Sequence, residues 1–111
     1  MNTNETIYTL SEIKDIVRPV AERHHIRTLT LFGSYARGEA DASSDIDLCV
    51  DGESIRSLLD LGDLYSDLEG ALGKPIDLIT LNSLKKHKED PATKKLMINI
   101  ERDNKLLYEE Q

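Results

Sequence analysis

The chain has 111 residues, of which 39% are hydrophobic and 32% charged, and its formal net charge is −7 at pH 7. This composition predicts one folded domain over residues 1–111 and argues against a disordered chain or a domain that binds nucleic acid through its phosphates. No apolar stretch is long enough to cross a bilayer, and residues 1–5 lack the pattern of a secretory signal. We therefore expect a cytoplasmic protein with no membrane partner.

The first third of the chain predicts a helix, a strand and a tight turn. Residues 11–25 carry apolar side chains at helical spacing, with Ser11 as the candidate N-cap and Pro19 as the expected site of a kink or break. Residues 27–32 favour an extended strand. Residues 33–38 begin and end with glycine, which predicts a turn into a short helix that the second glycine ends.

The remaining two thirds continue the alternation of strands and helices. A strand is predicted at residues 45–50, a long helix at 54–72 and a third strand at 76–81. A charged connection at residues 85–91 then leads to a last helix at 92–107. This order predicts a small α/β domain in which helices cover a sheet, and the pattern leaves open whether the strands pair in parallel.

Three aspartates lie on the predicted strands. Asp45 and Asp47 are separated by one residue, so their side chains project from the same face of a strand. Asp77 interrupts the apolar run of the third strand in the same way. An isolated Asp-x-Asp pair is more often a solvated part of a strand than a site. Three clustered carboxylates, however, repel each other unless a cation lies between them, and magnesium prefers such oxygen ligands.

The turn after the first strand has the features of a phosphate-binding loop. Gly33 lets backbone N–H groups approach a phosphate, and Ser34 adds a hydroxyl donor at the start of a helix. Arg37 could contact the phosphate or brace the loop by pairing with an acid such as Asp45. Ser44 could contact the nucleotide or shape the loop. Phosphate binding beside metal-binding carboxylates is what phosphoryl or nucleotidyl transfer requires.

The spacing of these residues resembles a known signature. Gly33 and Ser34, ten further residues and then Asp45-Ile46-Asp47 match the Gly-Ser-x10-Asp-x-Asp pattern of the nucleotidyltransferase superfamily that includes DNA polymerase beta. The string GSYARGEADASSDIDL closely resembles the minimal nucleotidyltransferase group, and the likeness extends over residues 29–79. The resemblance implies a polymerase beta-like α/β fold, with a small mixed sheet flanked by helices.

The resemblance also implies roles for individual residues. Gly33 and Ser34 would bind the triphosphate of ATP, with Arg37 and Ser44 as further candidate nucleotide contacts. Each of the three acids would be catalytic and would coordinate magnesium, in a site that holds two ions: Asp45, Asp47 and Asp77. The third acid would also help to activate the attacking hydroxyl group.

The minimal group is best known as the antitoxin half of toxin–antitoxin pairs with HEPN-domain ribonucleases. The resemblance therefore implies an adenylyltransferase that modifies a tyrosine of a cognate HEPN toxin within a hetero-oligomer. The alternatives are a small-molecule nucleotidyltransferase, similar to those that modify aminoglycosides, and a non-catalytic antitoxin that acts by contact alone. The basic run at residues 85–88 is predicted to be a solvated surface, and its role stays open.

Overall fold

The structure is a computed structural model that describes residues 6–111, so residues 1–5, on which the expectation about a secretory signal rests, lie outside the described residues. The order of elements confirms the predicted α/β class. In chain order they are α1 (Leu10–Arg23), β1 (Thr28–Phe32), α2 (Gly33–Arg37), β2 (Ile46–Asp51), α3 (Leu58–Leu72), β3 (Ile76–Thr80), α4 (Leu81–Lys86), α5 (Pro91–Asp103) and β4 (Lys105–Glu109).

The sheet has four strands in the order β3-β2-β1-β4. β1 runs antiparallel to both of its neighbours, whereas β2 and β3 are parallel. The parallel pair requires a crossover connection, which α3 supplies between β2 and β3. The predicted mixed sheet is therefore confirmed.

The two faces of the sheet carry separate cores. On one face, α1 and α3 pack against alternate apolar residues of β1 and β2, such as Leu29 and Leu48. On the other face, α4 and α5 contribute Leu84 and Ile100, which pack with Phe32 and Cys49. Because side chains alternate along a strand, Asp47, two positions before Cys49 on β2, also lies on the face that α5 covers.

The predicted N-cap of α1 is wrong by two residues. Thr9, rather than Ser11, is the N-cap, because its hydroxyl accepts a hydrogen bond from the Glu12 backbone N–H at 3.1 Å. The Glu12 carboxylate in turn accepts from the Thr9 backbone N–H at 2.8 Å. This reciprocal capping box satisfies two N–H groups at once, which a cap at Ser11 would not.

Of the kink or break predicted at Pro19, the break does not occur, since one helix continues through it from Leu10 to Arg23, and the kink stays a prediction. Pro19 lies on the exposed side of α1, while Val17 and Val20 are buried in the core. Packing of the buried side outweighs the single backbone hydrogen bond that proline removes.

The start of the long helix also differs from the prediction. α3 begins at Leu58 rather than at residue 54, because the Ser57 hydroxyl accepts a hydrogen bond from the Asp60 backbone N–H at 3.2 Å and caps the helix there. Gly73, with φ of 66°, ends the helix, as predicted.

The last third of the chain departs most from the prediction. The region predicted as a charged connection contains the end of α4, and the predicted helix at residues 92–107 is instead α5 followed by β4. Asp90 caps α5 and Pro91 occupies its first turn, as helix starts favour. Among residues 6–111, no helix is both long and apolar enough to span a membrane.

Candidate functional site

Two of the three predicted aspartates lie side by side on the parallel strands. Asp47 of β2 and Asp77 of β3 are partners in the strand register. Both project from the sheet face that α5 covers, where adjacent strands lie about 4.8 Å apart. Asp45 immediately precedes β2 and is exposed, as is Asp77, whereas Asp47 is half-buried. The fold thus brings the three carboxylates to one region at the beginning of β2 and β3.

The charges of these residues influence each other. The pKa of Asp47 is raised to about 6, first by burial and then by the negative charges of Asp77 and Asp45. The positive charge of Arg37 opposes this rise. A bound cation would favour the ionised form of Asp47 by relieving the same repulsion.

Gly33 brings the predicted phosphate turn against this carboxylate. β1 passes directly into α2, and Gly33 adopts φ of 77°, which side-chain-bearing residues rarely adopt. A Cβ atom at this position would collide with Asp47 Oδ2 and would lie 3.1 Å from Asp47 Cγ. The absence of a side chain therefore allows the turn to pack directly on Asp47.

Ser34 occupies the first turn of α2, next to Gly33. The helix ends after Arg37 at Gly38, whose φ of 73° and backbone hydrogen bonds to the carbonyl groups of Ser34 and Tyr35 confirm the predicted glycine stop. The turn thus has a glycine with positive φ at each end, and Ser34 directly follows the glycine that packs on Asp47.

Arg37 braces the loop, with partners other than the one considered from the sequence. Its Nε atom donates to Glu39 Oε1 at 2.8 Å and its Nη1 atom donates to Asp103 Oδ2 at 2.7 Å. Asp45 does not receive either bond, so the suggestion of an Arg37–Asp45 pair is wrong. Contact between Arg37 and a phosphate stays a prediction. Asp103 had no local signal, because it lies beside Arg102 in a charged stretch that is typical of an exposed helix end.

Ser44 shapes the loop that leads to Asp45. Its hydroxyl accepts a hydrogen bond from the Asp41 backbone N–H at 2.9 Å, and its own backbone N–H donates to the Asp41 carbonyl at 3.1 Å. The buried Lys74 side chain donates to the Ala42 carbonyl of the same loop at 3.4 Å. These contacts favour the loop-shaping role of Ser44, and its contact with a nucleotide stays a prediction.

The fit of the site to magnesium rests on its donor chemistry. Within residues 6–111, no three His, Cys, Asp or Glu side chains converge closely enough to surround one metal ion. The three aspartates nevertheless offer only carboxylate oxygens, which are the ligands that magnesium prefers. Asp47 and Asp77 are opposite each other in the strand register, and their repulsion contributes to the raised pKa of Asp47. A cation between these groups would relieve that repulsion.

A half-open pocket of about 400 Å³ lies at the other end of the same strands, where its lining includes Asp51, Thr80 and Lys86. No predicted site residue contributes to it. Asp47 and Asp51 are four positions apart on β2, or about 13 Å by the rise of a strand. The chemistry of the aspartates, rather than the depth of a cavity, therefore identifies the candidate site.

Comparison with known proteins assigns the chain to a family. The family described as "Polymerase beta, Nucleotidyltransferase" matches residues 12–111. The protein adenylyltransferase MntA of Thermococcus cleftensis is 44% identical over 81 residues, which cover 69% of this chain and 82% of that protein.

Two solved complexes contain chains of the same fold. One chain of a toxin–antitoxin complex with AMP-PNP is similar with a TM-score of 0.66 and 23% identity, over 88% of this chain and 74% of that chain. A complex of a tri-AMPylated HEPN toxin of Shewanella oneidensis with its MNT antitoxin gives a TM-score of 0.63 and 20% identity, over 93% and 75% of the two chains. The fold and the match over residues 12–111 lead to one conclusion: the chain belongs to the polymerase beta nucleotidyltransferase family.

Proposed function

We propose that this chain is a magnesium-dependent adenylyltransferase that acts as an antitoxin by transferring AMP from ATP to a tyrosine of a HEPN-family toxin. The observation that carries the proposal is the packing of the Gly33 turn directly on Asp47, which would place a phosphate beside metal-binding carboxylates. The adenylyl group and the protein acceptor are supported by the name of the Thermococcus cleftensis relative. The toxin partner and a hetero-oligomeric complex are supported by the solved complexes of the same fold.

The proposed mechanism assigns the triphosphate to the turn. Backbone N–H groups after Gly33 and the Ser34 hydroxyl would bind phosphate oxygens, and Asp45 and Asp47 would hold two magnesium ions together with Asp77. Magnesium would neutralise the triphosphate and make the acceptor hydroxyl more acidic.

The acceptor would react at the exposed side of the aspartates. The tyrosine oxygen forms a bond to the α-phosphorus of ATP, and the bond from that phosphorus to the oxygen bridging to the β-phosphate breaks. Pyrophosphate leaves with the electron pair. Asp77 is exposed and can receive the tyrosine proton, directly or through water. The chain's main contribution is positioning and charge, as phosphate-transfer chemistry requires.

The test uses ATP labelled either at the α- or at the γ-phosphorus, together with magnesium and the protein encoded beside this chain. We expect label on a partner tyrosine only from the α-labelled ATP. The Asp45→Asn/Asp47→Asn variant should reduce labelling by at least roughly 1,000-fold, because the ligands for the metal are lost. Asp51→Asn is the control for a change of charge on β2, since it removes one carboxylate from the opposite end of the same strand.

Three outcomes would contradict the proposal. Label from the γ-position would indicate phosphoryl transfer, and label on a small molecule instead of the partner would indicate the aminoglycoside-type alternative. Full neutralisation of the toxin by the double variant would indicate an antitoxin that acts by binding alone.

A further inference from the structure

Asp103 is a buried charge that the proposed mechanism does not use. Among residues 6–111, Lys74 and Asp103 are the buried charged side chains, and Asp103 is only 5% exposed. Its carboxylate accepts hydrogen bonds from Arg37 Nη1 at 2.7 Å, from Arg102 Nε at 2.9 Å and from Arg102 Nη2 at 3.2 Å. These bonds, those of Arg102 first, lower the pKa of Asp103 to about 2, so the carboxylate is ionised at neutral pH. A buried ionised group is retained only where such partners hold it.

The position of Asp103 connects two distant parts of the chain. It is the last residue of α5, and β4 begins two residues later. β4 pairs with β1, with Lys105 opposite Leu31, so the end of α5 is held beside the strand that leads into Gly33. Arg37 is the last residue of α2, the helix that begins with this glycine. The Asp103–Arg37 pair therefore links α2 to the C-terminal part of the fold.

Arg37 lies between Asp103 and the aspartates of the candidate site. Its guanidinium group is oriented by two acids, since Nε binds Glu39 while Nη1 binds Asp103. The same group lies close enough to the aspartates to oppose the rise in the pKa of Asp47. α2 has only five residues and lacks a side-chain cap at its start, so contacts from outside the helix have to fix its position.

We propose that Asp103 is a positioning residue for the phosphate turn: by holding Arg37 it fixes α2, and with it the position of Gly33 and Ser34 over Asp47. The effect on nucleotide transfer rests on the proposed function. The effect on the position of α2 does not depend on that function.

The experiment compares Asp103→Asn with Arg102→Gln in the full chain. Asp103→Asn keeps the shape of the side chain and removes the charge that Arg37 contacts. Arg102→Gln removes a partner of the same carboxylate from the exposed side and leaves the Arg37 bond in place. Hydrogen exchange of backbone amides, resolved by residue, is measured for both variants without nucleotide.

We expect Asp103→Asn to accelerate exchange at residues 34–38 by about 10-fold more than in the α1 and α3 cores, because α2 loses its charged contact with the end of α5. Arg102→Gln should leave the exchange of α2 within about twofold of the original chain. Equal acceleration throughout the chain would show a general stability role and would overturn the inference, as would unchanged exchange in α2.

Arg37→Gln tests the same pair from the more exposed partner and serves if Asp103→Asn does not fold. It should accelerate exchange at residues 34–38. Where Asp103→Asn folds, the double variant should show less than the sum of the two single effects, because both changes break the Arg37–Asp103 bond. Additive effects would overturn the inference.

Transfer kinetics provide the second readout. We expect Asp103→Asn to lower kcat/KM for ATP by roughly 10- to 100-fold through a misplaced turn, with Asp103→Glu recovering part of the loss. If the original chain transfers no nucleotide, the proposed function fails, and the exchange measurements still decide the role of Asp103.

Discussion

The segment from β1 to β3 and the segment that follows β3 differ in the distance over which their structure is determined. In the first, glycines, helix caps and alternating side chains lie within a few residues of the elements that they define. In the second, β4 pairs with β1, which lies far earlier in the sequence, and Asp103 is held by Arg37 of α2. The proposed catalytic groups are thus encoded locally, whereas the groups that position them depend on long-range contacts.

The largest expected effect concerns the local segment and compares two glycines of similar conformation. Gly33 and Gly38 have φ of 77° and 73°, so alanine at either position introduces a similar backbone strain of about 1 kcal/mol. Only the methyl group at residue 33 would collide with Asp47, since nothing lies within 4 Å of a Cβ at Gly38. We expect Gly33→Ala to lower AMP transfer by at least roughly 100-fold and Gly38→Ala by less than about threefold.

Rates of transfer from α-labelled ATP, together with urea unfolding of both variants, check this prediction. Equal losses of activity in the two variants would show that backbone strain, rather than contact between the turn and Asp47, limits the reaction. Larger losses of both activity and stability in Gly33→Ala than in Gly38→Ala would support the close contact.

The next effect tests the long-range segment. Leu107 of β4 is 6% exposed and packs in the core, whereas its neighbour Leu106 is 46% exposed. We expect Leu107→Ala to reduce the free energy of unfolding by about 3 kcal/mol and Leu106→Ala by less than about 1 kcal/mol. Urea unfolding measures both, and similar losses would contradict the burial of Leu107 beside an exposed Leu106.

The sequence was sufficient for most of the fold between β1 and β3. The predicted first strand differs from β1 by one residue, and β2 is shifted by one, because alternation and glycine turns mark both. The error at α3 is one of capping, since two serines, Ser54 and Ser57, precede the helix and Ser57 is the one that caps it. β4 could not be separated from a helix by its apolar residues alone, because pairing with β1 decides its conformation.

The candidate site divides in the same way. The spacing of Gly33, Asp45 and Asp47 could be read from the sequence, and so could the placement of Asp77 on a neighbouring strand. Asp103 could not, because its burial depends on how α5 meets α2. A charged residue at a helix end is usually exposed. Asp103 is instead buried, with Arg37 and Arg102 as its ion-pair partners.

The smallest effect returns to the segment from β1 to β3, in a measurement of its stability. Asp47 has a raised pKa of about 6, so the folded state binds its proton more tightly than the unfolded state, whose carboxyl has an ordinary value near 3.8. Stability associated with this group is therefore fully present below about pH 4 and is lost as the pH rises through about 6. Asp47→Asn cannot ionise and should avoid this loss.

With a metal chelator present, we expect Asp47→Asn to be more stable than the original chain by about 1 kcal/mol at pH 7.5, a value reduced from the full pKa shift because Asp47 is only half-buried. For a chain of this size, that difference corresponds to a rise in Tm of about 4 °C. The gain should disappear near pH 4. Adding magnesium should raise the Tm of the original chain and not that of the variant, because a cation between Asp47 and its neighbours relieves the repulsion only where the charge is present. If Asp47→Asn is no more stable than the original chain at pH 7.5, the positive charge of Arg37 already offsets the repulsion among the three carboxylates without a metal.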